Sequence, residues 1–200
     1  TVPSYIAVEG PIGVGKTTLA RRIADTFDYD LLLEEAEMNP FLERFYLNRQ
    51  QTALATQLFF LFQRVQKITE LKQRDMFDQA RVADFVLEKD PLFARVNLEP
   101  DEYALYQKVF SKMRVDAPVP DLVIYLQANP DRLLERIDRR GIDAERLIDR
   151  RYLEQLNEVY SEFFLYYDAA PILIVNANEN DLEQGDKDYE QLVDYMLNIK

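Results

Sequence analysis

Five short apolar runs separated by longer stretches of helical period predict an α/β fold with one parallel five-stranded sheet and helices on both faces. A glycine-rich segment directly after the first run, EGPIGVGKTT at 9–18, narrows that class to the P-loop nucleotide-binding type. Length agrees. Two hundred residues, 48% of them hydrophobic, suffice for one such domain with a full core and are few for two, so 1–200 reads as a single domain.

The first run, Tyr5-Ile6-Ala7-Val8, reads as a buried strand. The segment after it fits G-x4-G-K-[ST] at every fixed position, with Gly10, Gly15, Lys16 and Thr17, and Leu19, Ile23 and Phe27 then recur at helical spacing over 17–27. Strand, glycine loop and helix are the context the motif needs. Gly10, Gly13 and Gly15 let the backbone bend, so that the loop Gly10-Pro11-Ile12-Gly13-Val14-Gly15-Lys16-Thr17-Thr18 turns N–H groups and a positive helix end toward a triphosphate. Lys16 is placed for the β- and γ-phosphates and the Thr17 hydroxyl for Mg²⁺, which makes ATP and Mg²⁺ the expected cofactors.

The other strands fall on Leu31-Leu32-Leu33, a weaker 81–86, Leu122–Leu126 and Ile172–Val175, with helical stretches over 41–73, 101–113, 130–140, 145–168 and 188–198. A parallel sheet binds ligands at the carboxyl ends of its strands, so functional residues are expected just after each apolar run. The stretch 117–121 reads as a loop into the fourth strand, and the acidic 176–188 as a surface excursion. Most of the twelve Tyr and twelve Phe are expected in the core or on helix faces.

Composition excludes whole classes of function. A net charge of −12 and a pI near 4.6 argue against an extended surface for a nucleic-acid polymer or an anionic membrane. The chain has no cysteine and no histidine, which removes thiolate metal sites, His-ligated metals and Ser-His-Asp chemistry. A general base must come from Asp, Glu, Lys or Tyr. No apolar run approaches the roughly 20 residues of a spanning helix and the start has no signal pattern, so a soluble cytoplasmic protein is expected.

The second strand runs into Leu33-Glu34-Glu35, and Glu34 is its first carboxylate, placed to take a proton from an acceptor hydroxyl. Gln57 and Arg64 lie seven apart among Phe and Leu, on one helical face. A buried glutamine must be hydrogen-bonded, and its amide offers a donor and an acceptor that suit the edge of a nucleobase and can turn to suit several. Arg136, Arg139 and Arg140 stand at i, i+3 and i+4 before Gly141. They read either as arginines that complement the helix dipole or as a lid that neutralises charge on a transferring phosphoryl group, with no purpose as a core element.

Taken together, LLLEEAEMNPFLERFY, QLFFLFQR, LFARVNLEPDEYALY, PDLVIYLQANPDRLLERIDRRG and RRYLEQLNEVYSEFF, in that order over residues 4 to about 175, resemble the deoxyribonucleoside kinase family, in its bacterial deoxyadenosine and deoxyguanosine kinase form. The resemblance implies that Glu34 takes the proton of the sugar 5′-hydroxyl, with Lys16, Arg136 and Arg140 as electrostatic stabilisers and Arg139 beside the nucleotide. It implies that Tyr46 and Glu145 hold the 3′-hydroxyl. Gln57 would read the base bidentately, Phe93 stack on it, and Arg64 lie near both base and carboxylate. The lid would span about 136–146, and a homodimer would form through helices 41–73 and 101–113.

Two departures stand out. Where the family carries an acidic-Arg-Ser triplet, this chain has Asp84 and Phe85 at the Arg and Ser positions; Asp84 then becomes the Mg²⁺-side carboxylate, and Arg81 or Lys89 is left to replace the missing cation. A further lid arginine of the family falls on Ile142. The activity implied is transfer of the γ-phosphate of ATP to the 5′-hydroxyl of a deoxyribonucleoside, purine favoured. The alternatives are a nucleoside monophosphate kinase, whose Asp-Arg-Tyr-type triplet is absent, and a nucleotide-dependent switch or binding module, for which there is no Asn-Lys-x-Asp motif and the one Asp-x-x-Gly, Asp138 to Gly141, lies in the lid.

Overall fold

The computed structural model describes residues 2–74, 79–113, 115–178 and 185–199. Its strands are β1 (Tyr5–Glu9), β2 (Asp30–Leu32), β3 (Arg81–Ala83), β4 (Leu122–Gln127) and β5 (Ile172–Asn176), all parallel, in the order β2-β3-β1-β4-β5. β1 is buried throughout, because it lies at the centre with a neighbour on each side and helices on both faces. The chain moves outward from β1 to opposite edges, so the crevice of this fold opens at the carboxyl ends of β1 and β3.

β2 is separated from β1 by β3. One strand expectation is adjusted. The third run pairs for only three residues, since the Val86 N–H goes to the Glu9 carboxylate at 3.0 Å and Asp84 turns its own carboxylate to the Glu34 N–H at 2.7 Å. Side chains thus replace the ladder there.

The helices are α1 (Lys16–Phe27), α2 (Leu42–Leu47), α3 (Arg49–Arg74), α4 (Lys89–Asn97), α5 (Pro100–Met113), α6 (Pro130–Arg140), α7 (Arg150–Tyr166) and α8 (Asp186–Leu197). The stretch 41–73 is not continuous. Asn48 is extended, with φ −148° and ψ 95°, at a residue type that competes poorly for helix interiors. The stretch 145–168 also starts differently, as a 3₁₀ turn Asp143–Leu147 followed by α7, whose first turn is capped by the Asp149 carboxylate accepting from the Tyr152 N–H at 2.8 Å. α4 has no clear helical period in the sequence; it carries Pro91 in its first turn, where a missing N–H costs no helix bond. Of the acidic excursion, 179–184 lies outside the described residues.

The aromatic content is largely packing, as composition suggested. Tyr125 of β4 stacks on Phe164 of α7 at 4.4 Å between centroids, and Tyr160 lies parallel to both, clamping α7 onto the sheet.

The glycine loop is packed as tightly as the core. Gly10, at φ +156°, leaves no room for a Cβ, which would lie 2.7 Å from the Leu126 carbonyl oxygen and 2.8 Å from Val14 Cγ1. Gly141, at φ +67° after α6, has nothing within 4 Å of the same atom. Both positions carry backbone strain on substitution, but only the first adds a clash with backbone. Gly10→Ala is expected to cost about 3 kcal/mol and lower the melting temperature by roughly 6–12 °C, and Gly141→Ala about 1 kcal/mol and roughly 2–4 °C, compared by differential scanning calorimetry.

Candidate active site

A cleft of roughly 850 Å³ opens at the carboxyl end of the sheet. Nearly every residue singled out from the sequence lines it: Pro11, Ile12, Gly13, Gly15, Lys16, Thr17 and Thr18 of the loop; Glu34, Tyr46, Gln57, Arg64, Asp84 and Phe93; and Arg136, Arg139, Arg140 and Glu145 of the lid. Gly10 and Val14 do not. They are buried behind the loop, where Gly10 lets it pass against β4 and Val14 joins the core.

On the donor side, Gly15 caps α1 in a left-handed conformation without a side-chain bond, so the helix start keeps its N–H groups for an anion. Thr17 Oγ1 donates to Asp84 Oδ2 at 2.7 Å. That pairs a hydroxyl and a carboxylate beside the loop, two hard oxygen donors of the kind Mg²⁺ takes with phosphates and water completing its shell. Among the described residues no group of three or more acidic, His or Cys side chains is assembled to hold a metal.

Across the cleft from the loop, Glu34 leaves the sheet just beyond β2 and is buried. Glu35, the next residue, turns the chain with φ +57°, a left-handed conformation that costs a non-glycine residue about 1–2 kcal/mol. It is fixed by α3, from which Gln63 Nε2 donates to the Glu35 carbonyl at 3.2 Å and Lys67 lies 3.5 Å from its carboxylate. The turn aims Glu34 inward. Arg64 donates to Glu34 Oε1 from Nε at 2.6 Å and also from NH2, while Oε2 has only ammonium groups at longer range, Lys89 at 3.5 Å and Lys16 at 3.7 Å. Burial opposes the charge on Glu34, but Arg64, Lys89 and Lys16 outweigh it and hold the carboxyl well below the usual carboxylate range. Glu34 is therefore ionised.

Gln57 and Arg64 do share a face, and both meet Asp90 of α4. Gln57 Nε2 donates to the Asp90 carbonyl at 3.3 Å and to Oδ1 at 3.1 Å, while Arg64 NH1 donates to Oδ2 at 2.5 Å and the Tyr106 hydroxyl donates to Oδ1. The Gln57 amide is thus tied, which removes the free turning the sequence allowed and leaves Oε1 as the atom to meet a ligand. Phe93 packs edge-on to Tyr160 at 5.3 Å between centroids. Tyr46 is partly buried nearby, and its desolvation, with Tyr152 and Glu145 adding, pushes its hydroxyl far above the usual range.

Arg136, Arg139 and Arg140 of α6 separate in kind. Arg136 is buried and donates to the carbonyls of Val14 at 3.0 Å and Ala177 at 2.9 Å, so it does serve the interior, contrary to the sequence reading. The reason is local: two carbonyls at loop ends need donors, and a guanidinium reaches both. Arg139 is exposed and pairs loosely with Glu135 at 3.5 Å, on the same helix. Arg140 donates to both oxygens of Glu145, at 2.6 and 2.8 Å, joining α6 to the 3₁₀ turn beside the cleft.

Sequence reasoning missed a buried set behind these. Glu9 at the end of β1 accepts from Gly10 N–H at 3.0 Å, Val86 N–H at 3.0 Å and the Tyr160 hydroxyl at 3.1 Å, and pairs with Lys89 Nζ at 2.7 Å. Of the two cations offered for the missing arginine, Lys89 is the one in the cleft. Arg81 sits at the start of β3, over the Tyr5 ring at 4.7 Å. Burial lowers the Lys89 pKa, with Glu34 and Glu9 working against the shift. The available signal for Glu9 was its place as the first polar residue after an apolar strand; for Asp90 there was none.

Comparison with known proteins covers nearly the whole chain. The sequence model of the deoxynucleoside kinase family matches residues 6–199. The chain is 32% identical over 200 residues to the deoxyguanosine kinase of Bacillus subtilis (strain 168), covering 98% of this chain and 97% of that protein, and 29% identical to the deoxyadenosine/deoxycytidine kinase of the same strain, covering 98% and 93%. The deoxyadenosine kinase of M. mycoides, solved with dCMP and dCDP bound, superposes with a TM-score of 0.84 at 29% identity over 98% of this chain and all of that one. The same enzyme with dATP bound gives 0.82, also at 29% identity, over 96% and 99%. With its glycine loop and its ionised carboxylate on that common scaffold, the chain belongs to the deoxynucleoside kinase family and is a phosphotransferase.

Proposed function

We propose that the chain transfers the γ-phosphate of ATP, with Mg²⁺, to the 5′-hydroxyl of a deoxyribonucleoside, purine favoured, in the cytoplasm. The observation that carries the reading is Glu34, held ionised by Arg64 with Oε2 only 3.7 Å from the loop lysine Lys16. Relatives that act on deoxyguanosine and deoxyadenosine support the acceptor class, as do the nucleotides bound in the structural neighbour.

The residues divide the work as follows. Oε1 of Glu34 is occupied by Arg64, so Oε2 accepts the 5′-hydroxyl proton. A carboxylate held this strongly ionised takes that proton late, once the phosphoryl group has moved through a loose transition state. The 5′-oxygen bonds to phosphorus as the bond to the leaving ADP breaks. Thr17 and Asp84 would hold Mg²⁺, which would supply neutralisation of phosphate charge. Lys16, Arg139 and Arg140 stabilise phosphate charge, and Arg136 acts by fixing the loop carbonyl of Val14. Gln57 Oε1 accepts from the base and Phe93 stacks on it, while Tyr46 and Glu145 hold the 3′-hydroxyl. Lid closure over 136–146 keeps water from the phosphate.

A second copy covers α3 and α5, which touch each other and expose Phe62 and Leu105. Sedimentation at micromolar concentration is expected to give twice the 23.6 kDa mass of the chain.

In an ADP-release assay with ATP and Mg²⁺, deoxyadenosine or deoxyguanosine is expected to stimulate turnover strongly over a no-acceptor control. Stimulation by monophosphates alone would assign a different acceptor. Glu34→Gln is expected to retain nucleoside binding by calorimetry and lose turnover by roughly 10²- to 10⁴-fold. Turnover kept at the level of the unaltered chain removes Glu34 from the mechanism.

A further inference from the structure

Glu9 and Lys89 form a buried pair that the proposed reaction leaves without a task. Glu9 is fully buried and Lys89 is 2% exposed, yet Lys89 lines the cleft. Glu9 is fixed from several sides: Oε1 accepts from the Val86 N–H, Oε2 from the Gly10 N–H and the Tyr160 hydroxyl. Those three neutral bonds come from the exit of β3, the glycine loop and α7, so the carboxylate cannot swing. Lys89, 2.7 Å from Oε1, is anchored in turn.

The same ammonium lies 3.5 Å from Glu34 Oε2, the oxygen that Arg64 leaves open. Lys16 also approaches that oxygen, at 3.7 Å, but its place in the glycine loop commits it to phosphate. A counter-ion for Glu9 alone would not need to face the cleft. Lys89 instead stands between a fixed anion and the open oxygen of a second carboxylate, with a donor for each.

We infer that Lys89, anchored by Glu9, is a positioning residue for Glu34, holding Oε2 in the orientation that receives the acceptor proton. The inference rests on the kinase reading above. Glu9 gives the lysine a permanent partner, so when Glu34 becomes neutral on accepting a proton the ammonium is not stranded in a buried site.

The test compares the unaltered chain with Lys89→Met, Lys89→Arg and the double variant Glu9→Gln/Lys89→Met, which removes the pair as a neutral unit and so protects the fold. Lys89→Met is expected to lower kcat roughly 10- to 100-fold, as misplacement of a reacting group does, with the KM for ATP and the Kd for nucleoside by calorimetry changed less than about threefold. Lys89→Arg is expected to restore most of kcat, and the double variant to remain as slow as the single one. A double variant with the kcat of the unaltered chain would show that only Glu9 needs the lysine and would overturn the inference, as would an unchanged kcat in Lys89→Met. If Lys89→Met does not fold, the double variant and Lys89→Arg decide. Absence of nucleoside-dependent ADP release in the unaltered chain overturns the kinase reading and this inference with it; release there, with unaffected variants, overturns the inference alone.

Discussion

One guanidinium joins three elements of the cleft: Arg64 reaches from α3 to Glu34 beyond β2 and to Asp90 in α4, with Nε and NH2 on the first and NH1 on the second. All three groups are buried, and leaving one such charge without its partner costs about 3–5 kcal/mol, so none of the three is free to vary by itself. Asp90 carries the constraint further, to Gln57 and to Tyr106 of α5. The helices that wall the acceptor side are thus set against the sheet by polar bonds as much as by apolar contact. A network of this kind fixes one arrangement only when every member is satisfied, and here each charged member is.

The donor half was legible because its chemistry lies in ten consecutive residues, where glycine spacing alone dictates backbone shape. Glu34, Gln57 and Arg64 were legible for a different reason: a strand end and a seven-residue interval are local geometry, and local geometry survives folding. Glu9, Lys89 and Asp90 depend on sheet order. Only because β3 lies between β1 and β2 does the chain leaving β3 bring Lys89 between the carboxylates that end the other two strands' runs. The sequence offers Lys89 as a cation but not Glu9 as the partner that holds it. Arg136 was misread on similar grounds, since three arginines at a helix end look alike until Val14 and Ala177 present carbonyls to one of them. Resemblance to a family implied roles for these residues; it could not supply their partners.

Charge is distributed unevenly over the molecule. The chain carries a net −12, yet Lys16, Arg64, Lys89, Arg136, Arg139 and Arg140 all face one cleft. An acidic exterior around a cationic recess discourages long polyanions and focuses small ones, which suits a nucleotide-binding protein. Within the recess, Glu34 and Asp84 divide the positive field between two ends. Burial raises the Asp84 pKa while Lys16 opposes the shift, so the two carboxylates differ in their hold on a proton although both lie near the same lysine.

Arg136 binds the glycine loop from outside, on the Val14 carbonyl, and the end of β5 from the Ala177 carbonyl. Gly13 presses on the same helix, where a Cβ would lie 2.9 Å from Ile137 Cγ1. The loop is therefore held in shape by α6 before any anion arrives. Conformational freedom that a bare glycine loop would surrender on meeting phosphate has already been surrendered in folding. On the proposed function, binding affinity is then drawn from contacts with little ordering cost set against it, and it is coupled to the fold: loosening the back of α6 would weaken phosphate capture without touching a single residue that faces the phosphate.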